Sequence, residues 1–333
     1  MNALEPVPVS RRRPLLLSAL AVGAGTAGMA VSFCFLASVH RLDVIAGASG
    51  FVAGAVLIGA GLVTLAVLGR SSQAAASTAA APPGSLAFAS PQFVQRWRRH
   101  YRRNHVNRPE PDWNAPCLLS PEVVQTLVHS LEQFQLGDGG GPACLIAWNA
   151  QQLRASSAGA GTLLDQWFAE EREHARLLGA AVARFGGQCI RGHWSFTAFC
   201  LVRKVIGYRF ELTVLLLTEI VSTVYYRLMR RHAQDAPLAA MCRLILRDEA
   251  GHIAFHRERL VLSARLERAY YGWWWEARFR ALGLAAGTML WVNHAGALEA
   301  LGASRAEFYG EIGLELSRFI ARLRREKLRV AST

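Results

Sequence analysis

Three stretches of this sequence put carboxylates and histidines where a helix would ordinarily bury leucine. Over 162–185 the apolar stripe runs Leu164, Trp167, Glu171, His174, Leu178, in steps of three and four that keep all five on one face. Over 208–232 it runs Leu212, Leu216, Glu219, then Ser222 or Thr223, then Tyr226, so a single glutamate is embedded in "TVLLLTEIVSTV". Over 235–266 it runs Leu238, Cys242, Ile245, Glu249, His252, His256. A buried ionised carboxylate without a partner is strongly unfavourable. Helices that turn such groups inward must satisfy one another through bound cations or a dense hydrogen-bond network.

The remaining periodicity agrees with an all-α fold. From about residue 120 apolar residues recur every third or fourth position, and no run alternates as a strand would. Ser120, Pro121 and Glu122 supply cap, first-turn proline and first-turn acid for a helix that runs to about Leu136, where "GDGGGP" breaks it. Further helices are expected over 143–155, 162–185, 194–206, 208–232, 235–266, 272–298 and 303–328. Gly186 and Gly187 close the third of these eight, and Asp235 caps the sixth with Pro237 in its first turn. In the 272–298 segment Glu276, Arg278, Arg280 and His294 argue against a membrane span, although Trp273, Trp274 and Trp275 would suit a bilayer surface.

Ahead of the bundle, residues 14–68 are almost continuously apolar and are broken only by "HRLD" at 40–43. Each half, about 25 residues, is long enough to cross a hydrocarbon core of about 30 Å. The expectation is a two-helix transmembrane hairpin over 1–70, with Gly23, Gly28, Gly50 and Gly54 allowing close helix approach. Arg11, Arg12, Arg13 and Arg70 flank the spans, while the turn sets Arg41 against Asp43. The positive-inside rule then puts both termini and the following domain in the cytoplasm, at a bacterial inner membrane. Residues 71–115 read as a linker plus a basic juxtamembrane segment, "FVQRWRRHYRRNHVNR", suited either to anionic headgroups or simply to solvent. Residues 116–333 form the helical bundle domain.

A net charge of +13 raises the question of nucleic acid. Only Lys204 and Lys327 are lysines, and no zinc-finger spacing, ribonucleoprotein box or basic zipper is present, so no nucleic-acid partner is expected. Six cysteines, at 34, 117, 144, 189, 200 and 242, are scattered without a C-x-x-C and read as buried small hydrophobes in a reducing compartment.

Glu-x-x-His occurs twice, as Glu171/His174 and Glu249/His252, and each puts an oxygen and a nitrogen donor on one helical face. Glu219 lies 30 residues before Glu249, a spacing suited to two long antiparallel helices joined by a turn. Two such motifs with a lone glutamate between them are the ligand set of a di-iron or di-manganese carboxylate bundle, short of one first-helix acid. A polar network that needs no metal is the competing reading. The absence of thiolates favours iron or manganese over copper or zinc.

The segments "SLEQFQLGDG", "EEREHARLL", "LLLTEIVSTVYYRL" and "CRLILRDEAGHIAFHRERL" resemble the ferritin-like di-iron superfamily, over about 120–265. The resemblance implies a ferritin-like antiparallel bundle in which Glu171, His174, Glu219, Glu249 and His252 are metal ligands. It also implies that Glu170 and Asp248, the acids before each motif, hold the free ring nitrogen of a ligating histidine. Related chains read G-E-G-S-E-G where this one has "GDGGGP", which leaves Asp138 as the first-helix candidate and Glu132 as the alternative. His256 is expected to support the ligands by hydrogen bonding, and Tyr225 or Tyr226 is either a proton donor near the metals or a packing residue.

Two functions follow as expectations. One is an oxidoreductase that activates dioxygen at two iron ions and acts on a lipid or quinone, with a separate electron donor. The other is a membrane-tethered metal-binding protein, ferroxidase or redox sensor.

Overall fold

A computed structural model describes residues 12–36, 50, 54, 86–106, 108–266 and 271–331. Every regular element among them is helical. The chain divides into two compact units, Met1–Ala80 and Ala81–Thr333.

In the first unit, helix α1 spans Arg12–Leu36. Of the expected second span only Gly50 and Gly54 are described, and the "HRLD" turn lies outside the described residues. A Cβ on Gly54 would come within 2.6 Å of the Gly25 carbonyl oxygen, and one on Gly50 would collide with Ser32. Those two glycines therefore pack against α1. Among the described residues no atom lies within 4 Å of a Cβ built on Gly23 or Gly28, the other two glycines of the expected hairpin.

The second unit begins with α2 (Leu86–Ala89) and α3 (Pro91–His105). Ser90 caps α3, its hydroxyl accepting from the Phe93 amide, with Pro91 in the first turn. The boundary between units thus falls well before residue 116, and the basic segment expected as a juxtamembrane linker is a helix of the bundle. Phe93, Trp97 and Tyr101 recur every fourth residue and are buried, while Arg96, Arg99, Arg102 and Arg103 face solvent.

Next come α4 (Pro121–Gln135), a π-helical turn (Leu136–Gly140), α5 (Ala150–Arg154), α6 (Ala160–Arg184) and α7 (Trp194–Ile206). They are followed by α8 (Tyr208–His232), α9 (Ala236–Leu266), α10 (Trp273–Leu301) and α11 (Arg305–Ala331). The expected boundaries hold closely except over 143–155, where only α5 is helical. There the buried Glu211 carboxylate takes the backbone N–H groups of Ile146 and Ala147, at 2.8 and 2.9 Å, which removes donors a helix would use. Asp235 caps α9 through the Leu238 amide. One described helix, α8, is long and apolar enough to cross a membrane, but 78% of its apolar window is buried inside the unit, as befits a core helix.

Two apolar clusters fill the second unit. One contains Leu127, Leu131, Leu178, Leu216, Ile220 and Ile245; the other contains Trp97, Leu163, Trp167, Leu212, Leu215 and Phe255. Along α6 and α8 the chain passes from the second cluster to the first, whereas α9 sets Asp248 beside His174 and His252 beside Glu170, so its numbering runs against that of α6. Helices α6 and α8 therefore run in one direction and α9 against them. The segment between α6 and α8, which includes α7, is a crossover that returns along the bundle. The cysteines depart from expectation: Cys242 is buried, but Cys117, Cys144 and Cys189 are exposed thiols.

Glu211 is a structural acid. Besides the two amides, it pairs with buried Arg203, whose guanidinium also donates to the Cys144 carbonyl. Glu211→Ala would leave Arg203 buried without its counter-ion. The expected loss is about 3–5 kcal/mol of stability, read as a lowered midpoint in denaturant unfolding.

Candidate metal centre

The level at which the two apolar clusters meet is polar. On α6, Glu170, Glu171 and His174 lie between Trp167 of one cluster and Leu177 of the other. On α9, Asp248, Glu249 and His252 lie between Ile245 and Phe255, and α8 contributes Glu219. His174, Asp248, Glu249 and His252 are fully buried, and Glu170 and Glu219 nearly so.

The fourth contribution comes from the glycine-rich turn. After α4 the backbone widens, with the Gly141 amide bonded to the Leu136 carbonyl five residues back at 2.9 Å. Gly139 takes φ 125°, and a Cβ there would collide with the Glu171 carbonyl oxygen. Only glycine satisfies both demands. The turn is thereby pressed onto α6, which carries Asp138 to within 3.7 Å of His174 Nδ1.

Five side chains form two triads that share one member, and a sixth lies between them. Asp138, Glu171 and His174 each offer a donor atom within 4.8 Å of one another, and so do Glu171, Glu219 and His252. Glu171 belongs to both. Glu249 lies between them, with Oε1 3.9 Å from His174 Nδ1 and Oε2 3.7 Å from His252 Nδ1. His252 Nδ1 is also 3.1 Å from Glu171 Oε1 and 3.2 Å from Glu219 Oε2.

The opposite nitrogen of each ring is held across the bundle. His252 Nε2 on α9 meets Glu170 Oε2 on α6 at 2.9 Å, and His174 Nε2 on α6 meets Asp248 Oδ2 on α9 at 3.1 Å. These reciprocal bonds turn both Nδ1 atoms toward the centre. Asn104, at the end of α3, donates to both acids, at 3.0 Å to Glu170 and 2.6 Å to Asp248. Arg108 and Arg247 pair with Asp248 as well. Three donors brace the inner carboxylates: Trp167 Nε1 to Glu171, Tyr226 Oη to Asp138 and Ser222 Oγ to Glu249.

Crowded charge reshapes the acidities. Burial and Glu171 raise the Asp138 carboxyl to about 7 against the opposing pull of His174. Burial and the neighbouring Glu219 carboxylate raise Glu249 well above the carboxylate range. Burial works against ionisation of Glu171, but the two imidazoles outweigh it and hold that carboxyl at about 2. Burial likewise opposes charge on both histidines, and the surrounding carboxylates overcome it and raise them.

The donor set fits a pair of divalent ions. Asp138, Glu171, Glu219 and Glu249 carry four negative charges when ionised, matching two divalent cations. His174 Nδ1 and Glu249 Oε2, both aimed into the centre, are buried without a hydrogen-bond partner. Oxygen and neutral nitrogen donors suit iron or manganese.

All six candidates from the sequence are brought together, and Glu170 and Asp248 stand behind the histidines. The Glu132 alternative lies elsewhere, its carboxylate accepting from the Gln188 amide. His256 departs from its expected supporting role: it is buried, packs edge-on against Trp167, and neither ring nitrogen has a hydrogen-bond partner. Tyr226 is the tyrosine at the site, whereas the Tyr225 hydroxyl bonds Ser130. Asn104 and Arg108 escaped sequence reading because the run of arginines around them obscures the Phe93, Trp97, Tyr101 stripe that Asn104 continues. No protein-family model, curated protein or solved structure matches the chain.

Gly139→Ala is expected to lose about 2–4 kcal/mol from the positive φ and the collision with α6. Gly137→Ala, at a position with open space around it, is expected to be nearly neutral. Chemical denaturation of the two variants side by side checks the contrast.

Proposed function

We propose that this chain is a membrane-anchored, ferritin-like dinuclear metal oxidoreductase that uses dioxygen to oxidise a lipidic or quinone-like substrate, with electrons from a separate donor. The observation that carries the reading is the pair of buried histidine–carboxylate triads sharing Glu171, with Glu249 between them. Asp138 and His174 would serve one ion, Glu219 and His252 the other, and Glu171 and Glu249 both. The crossover between α6 and α8, with α9 running against them, supports the ferritin-like assignment. Two iron ions, or manganese in their place, supply when bound the redox partner for dioxygen.

The chain's own residues do the rest. Glu170 and Asp248 hold protons at His252 Nε2 and His174 Nε2, so that each Nδ1 offers its lone pair inward. The flanking clusters around Trp167, Leu215, Ile220 and Ile245 exclude water. Tyr226 keeps its phenolic proton, since burial and the Asp138 carboxylate raise its pKa well above the usual value, and donates it as a hydrogen bond that holds Asp138 Oδ2 in place at 2.6 Å. The apolar runs over 14–68 and the arginines flanking them support a transmembrane hairpin with the bundle on the cytoplasmic side of a bacterial inner membrane. That setting favours an apolar substrate.

The full chain purified in detergent is expected to carry about two metal ions. Glu219→Ala and Glu249→Ala should each hold less than about one, Asp138→Ala should lose one, and Glu132→Ala should keep both. Elemental analysis decides; a parent chain with less than about one ion, unchanged in the variants, refutes the dinuclear site. Oxygen consumption by the reduced, loaded protein tests the oxidase reading.

Metal uptake should also depend on pH. Asp138, raised to about 7, and Glu249 must shed protons to bind, as must both histidines. Affinity therefore rises with pH through that range. Titration at roughly pH 6 should give binding at least tenfold weaker than at about pH 8, with proton release on binding.

A further inference from the structure

Three consecutive tryptophans open α10, and the structure divides them. Trp275 stacks on Phe279 against the core, with ring centroids 4.8 Å apart. Trp273 and Trp274 stack on each other at 3.9 Å and stand 61% and 64% exposed. Two indoles left in water forgo a large gain from burial, yet each carries an N–H that an apolar cavity would leave unpaired. Such a pair suits a boundary that is apolar on one side and wet on the other.

Contacts between helices fix which end of the second unit carries the pair. Glu276 of α10 pairs with Arg324 of α11, and Lys327 donates to the Tyr271 carbonyl at 3.1 Å, so α10 starts where α11 finishes. Glu326 of α11 accepts at 2.7 Å from Arg257, in the last third of α9. Next to it, Glu258 takes the Trp97 indole N–H at 2.9 Å and pairs with Arg96, near the start of α3. Phe88 of α2 packs edge-on against Phe255. Helix α2 is the first described element of the second unit, so the chain enters the unit at this same end. Residues 69–85, between the apolar run and α2, reach no more than about 60 Å when fully extended. A bilayer that holds residues 14–68 therefore stays at high effective concentration beside this end.

The charge there is one-sided. On α9, α10 and α11 at this end, the carboxylates of Glu258, Glu276 and Glu326 are each taken by an arginine. Arg278 on α10 and Arg325 on α11 are exposed and make no ion pair among the described residues. Arg278 lies one turn beyond Trp274 on the same face. We propose that this end of the bundle docks on an anionic bilayer surface, with Trp273 and Trp274 at the level of the headgroups and Arg278 and Arg325 facing anionic lipid. The proposal rests on the membrane anchoring proposed above and adds a second contact, made by the bundle itself. The apolar cluster of Phe88, Trp97 and Phe255 lies between the docked end and His252, so docking turns that cluster toward the lipid.

The test uses the full chain reconstituted into vesicles of phosphatidylglycerol and phosphatidylcholine, with acyl chains brominated close to the headgroup to quench tryptophan on contact. No tryptophan precedes Trp97, so the N-terminal apolar runs contribute nothing to the signal. The brominated lipid is expected to quench the parent, and the Trp273→Phe, Trp274→Phe double variant to lose at least half of that quenching. Trp194→Phe, which removes an exposed tryptophan at the start of α7, is expected to leave it unchanged. Arg278→Glu combined with Arg325→Glu is expected to remove at least half of it. An unquenched parent overturns the proposal. So does a double tryptophan variant or a charge-reversed variant that keeps more than half of the parent's quenching, or a Trp194→Phe variant that loses as much as the double variant. Emission from the pair that is shielded from lipid and varies with protein concentration places a second copy there instead, which also overturns the proposal. Alkaline extraction of the same vesicles reports the hairpin separately. A chain stripped from them refutes the anchor, while the quenching measured beforehand decides the docking. All substituted positions are exposed, so helicity should match the parent in every variant.

Discussion

Everything in the bundle is arranged around burying four carboxylates and two imidazoles at one level of an apolar interior. Water is excluded there by the two clusters that contain Trp167 and Leu178. Isolated charges would be intolerable in such a place, and the structure answers with opposite charges in contact and a carboxylate shared between two triads. Protons on Asp138 and Glu249 and positive imidazoles balance the site when no cation is present. Two divalent cations at the site would take the place of those four protons and leave the same charge balance.

The second constraint is orientation. A histidine on a helix face can rotate about two bonds, and a ligand that rotates is a poor ligand. Here each ring is locked by an acid on the facing helix, Glu170 for His252 and Asp248 for His174, so the two Glu-x-x-His helices position each other's nitrogen donors. Asn104 ties the two locks together from α3. This gives α3 a purpose that its arginines conceal. The helix is a brace for the site, and its basic face is what remains on the outside.

Much of this was legible in the sequence. Glu171, His174, Glu219, Glu249 and His252 stood out because helical periodicity is strict, and a polar residue in an apolar stripe must either be wrong or be paired. Glu170 and Asp248 did not stand out in that way; only the resemblance to ferritin-like bundles implied their part. The glycine-rich turn was harder. "GDGGGP" reads as a helix breaker, and nothing local shows that its π-helical bend is pressed onto α6 at Gly139, carrying Asp138 inward. The 143–155 segment was misjudged for a related reason: Glu211, more than 60 residues away, takes the amides that a helix needed.

By itself, then, the sequence determined which faces of which helices turn inward, since 3.6 residues per turn and the cost of burying apolar surface in water act within a single segment. It also determined that the inward acids needed partners. Only the tertiary structure decided who those partners are: that Asp138 rather than Glu132 joins His174, that Asn104 spans two acids, and that His256 is packed without a hydrogen bond. Each of these depends on distances between segments far apart in the chain. Such distances are set by how whole helices pack, and no local pattern records them.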